Sequence, residues 1–506
     1  MLSTHTCGRS SVVEHLLPKQ NVVGSIPIAR SNRRFNLRGQ MAAKFGTSGL
    51  RGLAIELVGA VAISYTRAFL QHLKIKKVIR LGDEVYVAQD FRASSAALCL
   101  NIGEAIAAEG MAMRFLGEVP TQALAYEAMA KKCACIMITG SHIPADRNGL
   151  KFYRPDGEID KSDEAAIIER VAAIKPIPLS PVKVLAGNID AFEERYKLAF
   201  GADVLKDLRI AVYQHSTVAR DLLVALLSAA GAKVTPLARS ENFTPVDTEA
   251  ISSETMALLK DWAASGNYDA IVSADGDGDR PLVADNKGQV LRGDQLGLIT
   301  AKYLGAKTVV TPITSNSGID QYIRGGTRRT RVGSPYVIAE MMNAKKDGAP
   351  GIVGFEANGG FFTASRFRVG QTDLTSLPTR DCFLPIFAVL SSMVKSKMSL
   401  SALADHYLLP VALADRLENF PIEASSNLMR RLVSSISAQD AFFATVGKIQ
   451  SRNLLDGLRF TFADGSIAHL RPSGNAPEFR CYVEAATSTG AQRLLTRTLE
   501  LISAAH

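Results

Sequence analysis

Short apolar runs rich in β-branched residues alternate along this chain with longer runs whose apolar residues recur at helical spacing. Val85–Gln89 predicts a buried strand, and Ser94–Glu109 after it predicts an amphipathic helix. The strand predicted at Ala134–Ile138 leads directly into a polar loop. Because strands that are apolar throughout belong to sheets covered on both faces, the alternation predicts α/β layers. Further elements are predicted at Arg209–Tyr213, Ala219–Ala230, Ala270–Ser273, Thr308–Thr311 and Ile352–Val353.

The last hundred residues follow a different pattern. Leu458–Phe462 and Ile467–Arg471 predict two strands paired across a turn, and Gly490–Ile502 predicts a closing helix. A small α+β domain is therefore expected there. The length of 506 residues leaves room for three or four domains. Candidate boundaries between them are Lys175–Val182, Asn286–Gly293 and Lys395–Ala404.

The formal net charge of +9 raises the question of a nucleic-acid partner. Residues 1–40 carry six basic side chains and one acidic one, so only +4 belongs to the rest of the chain. Since that rest has no basic stripe with interleaved aromatic residues, no nucleic-acid partner is expected. No stretch reaches the roughly 18 apolar residues of a membrane span, and no secretory signal is evident. A cytoplasmic location without a membrane partner is therefore expected, and the six scattered cysteines fit free thiols.

Residues 1–40 show neither helical nor strand periodicity, and they end just before a second methionine, Met41. Residues 10–15 and 24–27 can be back-translated into codons that resemble the D-arm and T-arm of a bacterial transfer RNA gene. We therefore expect Met41 to be the true start of a chain whose first 40 residues are non-native. A disordered basic tail is the alternative.

The sharpest chemical signal is the acidic loop Asp275-Gly276-Asp277-Gly278-Asp279-Arg280, which directly follows an apolar run. Carboxylates at alternate positions, separated by glycines, can converge on one hard cation. An EF-hand calcium loop does not fit, because it would need Gly at position 280 and Glu at position 286. A metal site is therefore predicted, with a solvated acidic turn as the alternative.

Four other loops carry groups suited to phosphate or sugar binding. Thr139–Pro144 places Ser141 at a strand end, where a hydroxyl can serve as nucleophile or phosphate carrier, and Lys151 is near enough in sequence to act as acid or base. Each of the four, taken alone, is also compatible with an ordinary turn. The other three are Phe45–Gly52 with Arg51, Gly354–Gly360 with Glu356 and Asn358, and Arg471–Pro477 followed by Arg480.

Together and in this order, the five loops resemble those of the α-D-phosphohexomutase superfamily, which includes phosphoglucomutases, phosphomannomutases and phosphoglucosamine mutases. The resemblance extends from about Lys44 to the C-terminus. It implies an α/β fold of three related mixed-sheet domains plus a C-terminal α+β phosphate-binding domain around a central cleft. After the extension 1–40, the domains are expected at 41–185 with the phosphoserine loop, 186–290 with the metal loop, 291–405 with the sugar-binding loop and 406–506 with the phosphate-binding loop.

The resemblance also implies a role for each motif residue. Ser141 is expected to carry a phosphate and, with Asp275, Asp277 and Asp279, to hold Mg²⁺. The catalytic set it implies is Ser141, Lys151, Arg51, His142 and Arg280. The substrate-binding set it implies is Thr330, Gly333, Glu356, Asn358, Arg471, Ser473, Gly474, Asn475 and Arg480.

Three of the loops depart from the usual family motifs. In the serine loop, Gly140 and Ile143 replace an alanine and an asparagine, and the asparagine helps to order that loop. In the phosphate-binding loop, Asn475-Ala476 replaces a Thr-Glu pair. The sugar loop ends Asn358-Gly359-Gly360 where Ser-Gly-His is common. That histidine is a candidate proton carrier, so its role here is vacant or falls to Lys151.

The reaction that the resemblance implies interconverts mannose 6-phosphate and mannose 1-phosphate through phospho-Ser141 and a bound 1,6-bisphosphate. It would use Mg²⁺, with hexose 1,6-bisphosphate as activator, and would feed nucleotide-sugar and polysaccharide synthesis. The preference for mannose rests on the sequences of the loops Gly354–Gly360 and Arg471–Pro477, which resemble those of bacterial phosphomannomutases. The alternatives are a phosphoglucomutase or dual-specificity hexose mutase, a metal-dependent phosphatase and a non-catalytic sugar-phosphate-binding protein. Small-molecule hexose phosphates are the expected partners of a monomer or dimer.

Overall fold

The computed structural model describes residues 43–46, 49–175, 178, 181–473 and 477–505, so the predicted extension 1–40 lies outside it. A mixed sheet and its helices come first in the chain. Its last strand reaches one residue past the boundary predicted at 185. In chain order these elements are β1 (Lys44–Phe45), β2 (Leu50–Leu53), α1 (Ala54–Leu57), α2 (Ala60–Ile75), β3 (Glu84–Gln89), α3 (Ser95–Ala108), β4 (Ala112–Phe115), α4 (Thr121–Ala130), β5 (Ala134–Ile138), β6 (Arg147–Arg154), β7 (Gly157–Glu158), α5 (Lys161–Val171) and β8 (Val184–Ala186).

Two further mixed sheets follow. The second is formed with α6 (Asp190–Phe200), β9 (Arg209–His215), α7 (Arg220–Ala229), β10 (Lys233–Arg239), α8 (Ser253–Gly266), β11 (Ala270–Ala274) and β12 (Pro281–Asp285). The third sheet contains five strands, and a separate two-stranded hairpin is inserted between the last two of them. In chain order the elements are α9 (Gly293–Leu304), β13 (Thr308–Pro312), a 3₁₀ helix (Ser317–Tyr322), β14 (Thr327–Thr330), α10 (Ser334–Lys346), β15 (Ile352–Phe355), β16 (Phe361–Thr363), the hairpin strands β17 (Phe367–Val369) and β18 (Thr372–Leu374), β19 (Leu377–Asp381), α11 (Phe383–Ser396) and α12 (Leu400–His406).

The last unit is an antiparallel sheet packed against helices, as the α+β pattern predicted. The hairpin and the closing helix predicted from the sequence are both present, the hairpin at Leu458–Phe462 and Ile467–Pro472 and the helix at Ser488–Ala504. The elements are β20 (Val411–Glu418), α13 (Ile422–Ser434), α14 (Ile436–Phe442), β21 (Ile449–Asn453), β22 (Leu458–Phe462), β23 (Ile467–Pro472), β24 (Glu478–Ala485) and α15 (Ser488–Ala504).

One four-strand pattern recurs in the first three sheets. The strand orders β4-β3-β5-β6, β10-β9-β11-β12 and β14-β13-β15-β16 each contain three parallel strands and then an antiparallel one. The loop between the third and fourth strands of the pattern carries Ser141 in the first sheet, residues 275–280 in the second and residues 356–360 in the third. The three motifs therefore occupy equivalent places in three related units.

The strands at the centre of each repeat are buried on both faces, which explains their apolar runs. Every residue of β5 and β11 is buried. One core of the first sheet packs β3 and β5 against α2 and α3, and a second lies on the opposite face beneath α4. Among the described helices none is long and apolar enough by itself to cross a membrane, although α11 and α12 pass that test together with a bend of 92° between them.

A buried carboxylate, Asp163, ties α5 to α2 and β6. Its Oδ1 accepts from Lys76 Nζ at 2.6 Å and pairs with His72 Nε2 at 2.8 Å, while Arg154 donates to Oδ2. Burial alone would raise the pKa of Asp163, but Lys76, His72 and Arg154 hold it well below its usual value. Such a group stabilises the fold above its unfolded pKa, near 3.9, and that stability is lost as the pH falls through the folded pKa.

We expect Asp163→Asn to destabilise the first domain by about 2 kcal/mol at neutral pH, since charge-assisted hydrogen bonds are lost. The difference from wild type should shrink progressively below about pH 4, first as the carboxylate of the unfolded chain becomes protonated and then, at lower pH, as the folded one does. Hydrogen exchange in urea, followed on the peptides of α2 and α5, measures it, because a multidomain chain need not unfold in two states. Asp156→Asn is the control: its exposed carboxylate pairs with the same Arg154 and should matter by less than about 0.5 kcal/mol. Equal effects of the two variants would contradict the assignment.

Candidate active site

The serine loop and the acidic loop meet where their two repeats face each other. Ser141 Oγ donates a hydrogen bond to Asp275 Oδ2 at 2.5 Å. From β6, Lys151 Nζ donates to Asp277 Oδ2 at 2.5 Å and also to Asp279. All five side chains are buried. The structure therefore brings the predicted phosphate carrier, the predicted metal ligands and the predicted acid or base into one cluster.

Ser141 has a left-handed backbone, with φ of 56°. This conformation costs a non-glycine residue of order 1–3 kcal/mol and persists only where its surroundings enforce it. Thr139 Oγ1 accepts from the Ser141 N–H at 2.7 Å and so holds the turn. The strained turn directs the hydroxyl of Ser141 toward the acidic loop.

Arg92 orders the serine loop from beneath. Its guanidinium pairs with Asp90 and donates to the carbonyl oxygens of Ser141 at 3.0 Å and Ile143 at 2.6 Å. A side chain at Gly140 would not fit, because a Cβ there would lie 2.6 Å from Arg92 Cζ. Main-chain contacts to Arg92 thus order the loop, although Ile143 lacks the polar side chain common at its position.

The acidic loop fits a metal ion. Asp275 Oδ1 accepts from the N–H groups of Asp279 and Arg280, both at 3.1 Å, which turns the loop back on its first carboxylate. Ligand oxygens of Asp275, Asp277 and Asp279 lie within 4.8 Å of one another. Two of these buried oxygens, Asp277 Oδ1 and Asp279 Oδ1, have no hydrogen-bond partner among the described residues. Unpartnered buried carboxylate oxygens that converge are the ligands a hard cation such as Mg²⁺ prefers.

The charges of the cluster depend on one another. Burial, together with the nearby Asp277 and Asp279, raises the pKa of Asp275 well above its ordinary value. Burial would also raise the pKa of Asp277, but Lys151 beside it holds that pKa below the ordinary value. Burial opposes the charge of Lys151, yet Asp277 and Asp279 raise its pKa. A hydroxyl that faces carboxylates and fixed cations suits the transfer of a phosphoryl group.

His142 and two arginines line the same cluster. Arg280 Nη1 lies 3.1 Å from His142 Nδ1, which must accept because a guanidinium only donates. Burial, and then Arg280, lower the pKa of His142 to about 3. Arg51, on β2 beside β6, has its pKa lowered to about 10, first by burial and then by Arg280. Arg51, Arg280 and Lys151 thus place three cationic groups close to the carboxylates of the acidic loop, and such a concentration of positive charge favours an anionic substrate.

The sugar loop reaches the cluster through Arg380, which no sequence motif indicated. Arg380 Nε donates to Glu356 Oε2 at 2.7 Å, and its Nη1 lies 3.7 Å from Asp279 Oδ2. Asn358 Oδ1 accepts from the Gly360 N–H at 3.0 Å and caps its own turn. Glu356 therefore lies close to the metal loop, whereas the Asn358 oxygen is used within the loop.

The predicted phosphate-binding loop meets the third domain at Asp456. Asp456 Oδ2 accepts from Arg471 Nε at 3.0 Å and from the Val332 N–H at 2.9 Å. Val332 belongs to the predicted substrate-binding segment that contains Thr330 and Gly333. The hydroxyl of Thr330 donates to the Arg331 carbonyl, and Gly333 precedes α10 with a backbone φ of 128°. This contact joins two of the predicted substrate-binding segments.

The remaining residues of the phosphate-binding loop lie near Arg471. Arg480 stands opposite Arg471 in the β23–β24 register and pairs with Glu478 at 3.3 Å. The Ser473 N–H donates to the Glu478 carbonyl at 2.9 Å. Gly474 and Asn475 lie outside the described residues. Arg471 and Arg480 thus both pair with carboxylates of the C-terminal domain, and they form a concentration of positive charge at the end of β23 and the start of β24.

Four residues of the site were missed from the sequence. Arg92 and Arg380 are single arginines without a recognisable motif, and Asp456 is one of many acidic turn residues. Thr121 begins α4 and donates from Oγ1 to Asp277 Oδ2 at 2.6 Å. Gly140 and Gly360, which face Arg92 and Arg380, were the available indication in the sequence, because a glycine can allow another group to approach the backbone closely.

Models of the phosphoglucomutase/phosphomannomutase family match four successive parts of the chain. The α/β/α domains I, II and III match residues 42–177, 188–288 and 292–409, and the C-terminal domain matches residues 429–501. A phosphomannomutase of Sinorhizobium fredii is 47% identical over 92% of this chain and 99% of its own length. A phosphomannomutase of Salmonella muenchen is 39% identical over 90% of this chain and 95% of its own.

The solved structures extend the likeness to the fold. A phosphoglucomutase/phosphomannomutase family protein of Burkholderia thailandensis superposes with a TM-score of 0.74 over 91% of this chain and 97% of its own, at 20% identity. The resemblance inferred from the five loops and the four-unit architecture is therefore confirmed. The chain belongs to the phosphoglucomutase/phosphomannomutase family, within the α-D-phosphohexomutases.

Proposed function

We propose that this protein is a phosphomannomutase that interconverts mannose 6-phosphate and mannose 1-phosphate. One observation carries the proposal: the hydroxyl of Ser141 lies 2.5 Å from a buried triad of carboxylates in a chain 47% identical to a phosphomannomutase. An isomerase of this kind would act in the cytoplasm and supply hexose 1-phosphates to nucleotide-sugar and polysaccharide synthesis. Its domains would divide near residues 185, 290 and 405.

The proposed reaction has two phosphoryl transfers. In the first, the P–Oγ bond of phospho-Ser141 breaks as a bond forms between phosphorus and the free hydroxyl of the hexose phosphate, whose proton leaves. The product is a bound 1,6-bisphosphate, and Ser141 Oγ regains a proton. The bisphosphate turns by about half a rotation and returns its other phosphate to Ser141, so the hexose 1,6-bisphosphate also serves as activator.

The chain's own groups support each transfer. Asp275, Asp277 and Asp279, with an oxygen on Ser141, would hold Mg²⁺, which when bound neutralises charge on the transferring group. His142 contacts the Ser141 hydroxyl, and Arg51, Arg280 and Lys151 interact with the acidic loop beside it. The cationic groups would stabilise the phosphoryl oxygens, and Lys151 or His142 would hold a proton at the reacting oxygen. The residues proposed to bind the sugar and the second phosphate are Thr330, Gly333, Glu356, Asn358, Arg471, Ser473, Gly474, Asn475 and Arg480.

The test is a mutase assay of the full-length chain with Mg²⁺ and a catalytic amount of hexose 1,6-bisphosphate. We expect kcat/KM for mannose 1-phosphate to exceed that for glucose 1-phosphate. A ratio near one would indicate a dual-specificity hexose mutase, and a reversed ratio a phosphoglucomutase. Steady release of inorganic phosphate would indicate a phosphatase, and sugar-phosphate binding without any turnover would overturn the enzyme assignment.

A further inference from the structure

The glycine at position 360 makes room for a neighbouring arginine. In the antiparallel register of β16 and β19, Phe361 lies opposite Asp381, so Gly360 lies diagonally across from Arg380 at the site end of the two strands. A Cβ on Gly360 would lie 2.7 Å from Arg380 Cδ and 2.8 Å from Cγ. Side chains essentially never approach so closely, so any residue larger than glycine would displace Arg380.

Arg380 is buried between two functional loops. Its side chain is only 2% exposed, and it pairs with Glu356 of the sugar loop at 2.7 Å and approaches Asp279 of the metal loop at 3.7 Å. Because the guanidinium is a rigid planar fork, two such carboxylates are held at a defined separation. The same strand anchors the arginine, since Thr379 donates to Glu158 at 2.7 Å and Tyr196 donates to Asp381.

We propose that Arg380 is a positioning residue of the mutase site, which holds Glu356 toward the sugar and fixes it relative to Asp279 in space that Gly360 leaves open. The inference rests on the proposed function of the cleft and deepens it. Glu356, held by Arg380, presents its remaining oxygen to sugar hydroxyl groups. An arginine stays protonated in proteins, so it orients these carboxylates but does not carry the proton that a sugar-loop histidine could carry.

The charge of the arginine is itself well compensated. Burial would lower the pKa of Arg380, but Glu356, Asp279 and Glu158 together raise it above its usual value. Loss of the side chain would therefore leave acidic groups unpaired in a buried site. A larger residue at position 360 would instead keep the charge of Arg380 but displace its side chain. Variants at position 360 therefore test the position of the guanidinium, whereas variants at position 380 test its charge.

A double-mutant cycle of Gly360→Ala and Arg380→Ala tests the proposal. Gly360 has no left-handed backbone that an alanine would strain, so its Cβ should act through Arg380. We expect Gly360→Ala to lower kcat/KM about 10-fold and Arg380→Ala about 100-fold, with weaker binding of mannose 6-phosphate in calorimetry. The double variant should be no worse than Arg380→Ala alone, and Arg380→Lys should recover part of the loss.

The controls separate this role from folding and from the proposed function. Gly447→Ala should leave activity unchanged, because its Cβ would meet Phe462 at an ordinary 3.7 Å. Thermal unfolding of each variant shows whether a loss merely reflects instability. Multiplicative effects in the cycle, or variants that unfold early yet bind and turn over normally when folded, would overturn the proposal. Wild-type turnover judges the proposed function separately, since the cycle can also be read from sugar-phosphate binding alone.

Discussion

Replacement of Ser141 by alanine is expected to lower kcat by at least about 10⁴-fold while the fold is retained. Alanine removes the oxygen that would carry the phosphate, and no water could take its place in a mechanism that returns the group to the protein. The backbone turn does not depend on the hydroxyl, because Thr139 and Arg92 hold it through the main chain of residue 141. Initial rates and intact-protein mass after incubation with hexose 1,6-bisphosphate measure the effect.

The intact-protein mass shows whether Ser141 itself carries the phosphate. The wild-type chain should gain one phosphate and the variant none. Ser162→Ala is the matched control, because that hydroxyl lies on the surface of α5 and donates to Asp160 Oδ1. A Ser141→Ala protein that still gains phosphate and turns over would show that another residue carries the group.

Much of the active site could be predicted from the sequence, because each of its motifs lies within one short segment of the chain. The loop between the third and fourth strands of each repeat is short, so its functional residues are close together in the sequence. The glycines between Asp275, Asp277 and Asp279 therefore indicate that these carboxylates converge. Ser141 was placed at a strand end by the apolar run before it, and β5 begins and ends where predicted. The meeting of Ser141 with Asp275, 134 residues apart, was expected only from the family resemblance, since no pattern in the chain encodes it.

The residues that the sequence did not reveal act across long separations. Thr121 contacts Asp277 across 156 residues, and Arg92 acts on a loop about 50 residues away through its carbonyl oxygens. Every residue has a backbone carbonyl, so the sequence does not indicate that Arg92 donates to the carbonyls of this loop until the fold is known. Arg380 is only 24 residues from Glu356, yet Arg380 lies on β19, whose pairing with β16 includes a register shift that periodicity does not specify.

Replacement of Asp277 by asparagine is expected to lower kcat about 10³-fold and to weaken Mg²⁺ binding at least about 10-fold. The amide keeps the size of the side chain and can still accept from Thr121. It lacks the charge that balances Lys151, and it removes one of three anionic ligands from a set whose unpartnered oxygens converge. Calorimetry with Mg²⁺ alone measures affinity without turnover, and activity against Mg²⁺ concentration measures the catalytic effect.

Asp269→Asn provides the matched comparison for this variant. Asp269 immediately precedes β11, at the end of the strand remote from Asp275, and its carboxylate pairs with Arg209 on a partly exposed surface. Loss of that pair should change stability by less than about 1 kcal/mol and leave Mg²⁺ affinity unaltered. If Asp277→Asn binds Mg²⁺ as tightly as Asp269→Asn does, the acidic loop is a charge partner for Lys151 rather than a metal site. If affinity and kcat fall together only in Asp277→Asn, the carboxylates act as ligands, because the neutral isostere keeps the shape of the side chain and its contact with Thr121 while removing a charged ligand.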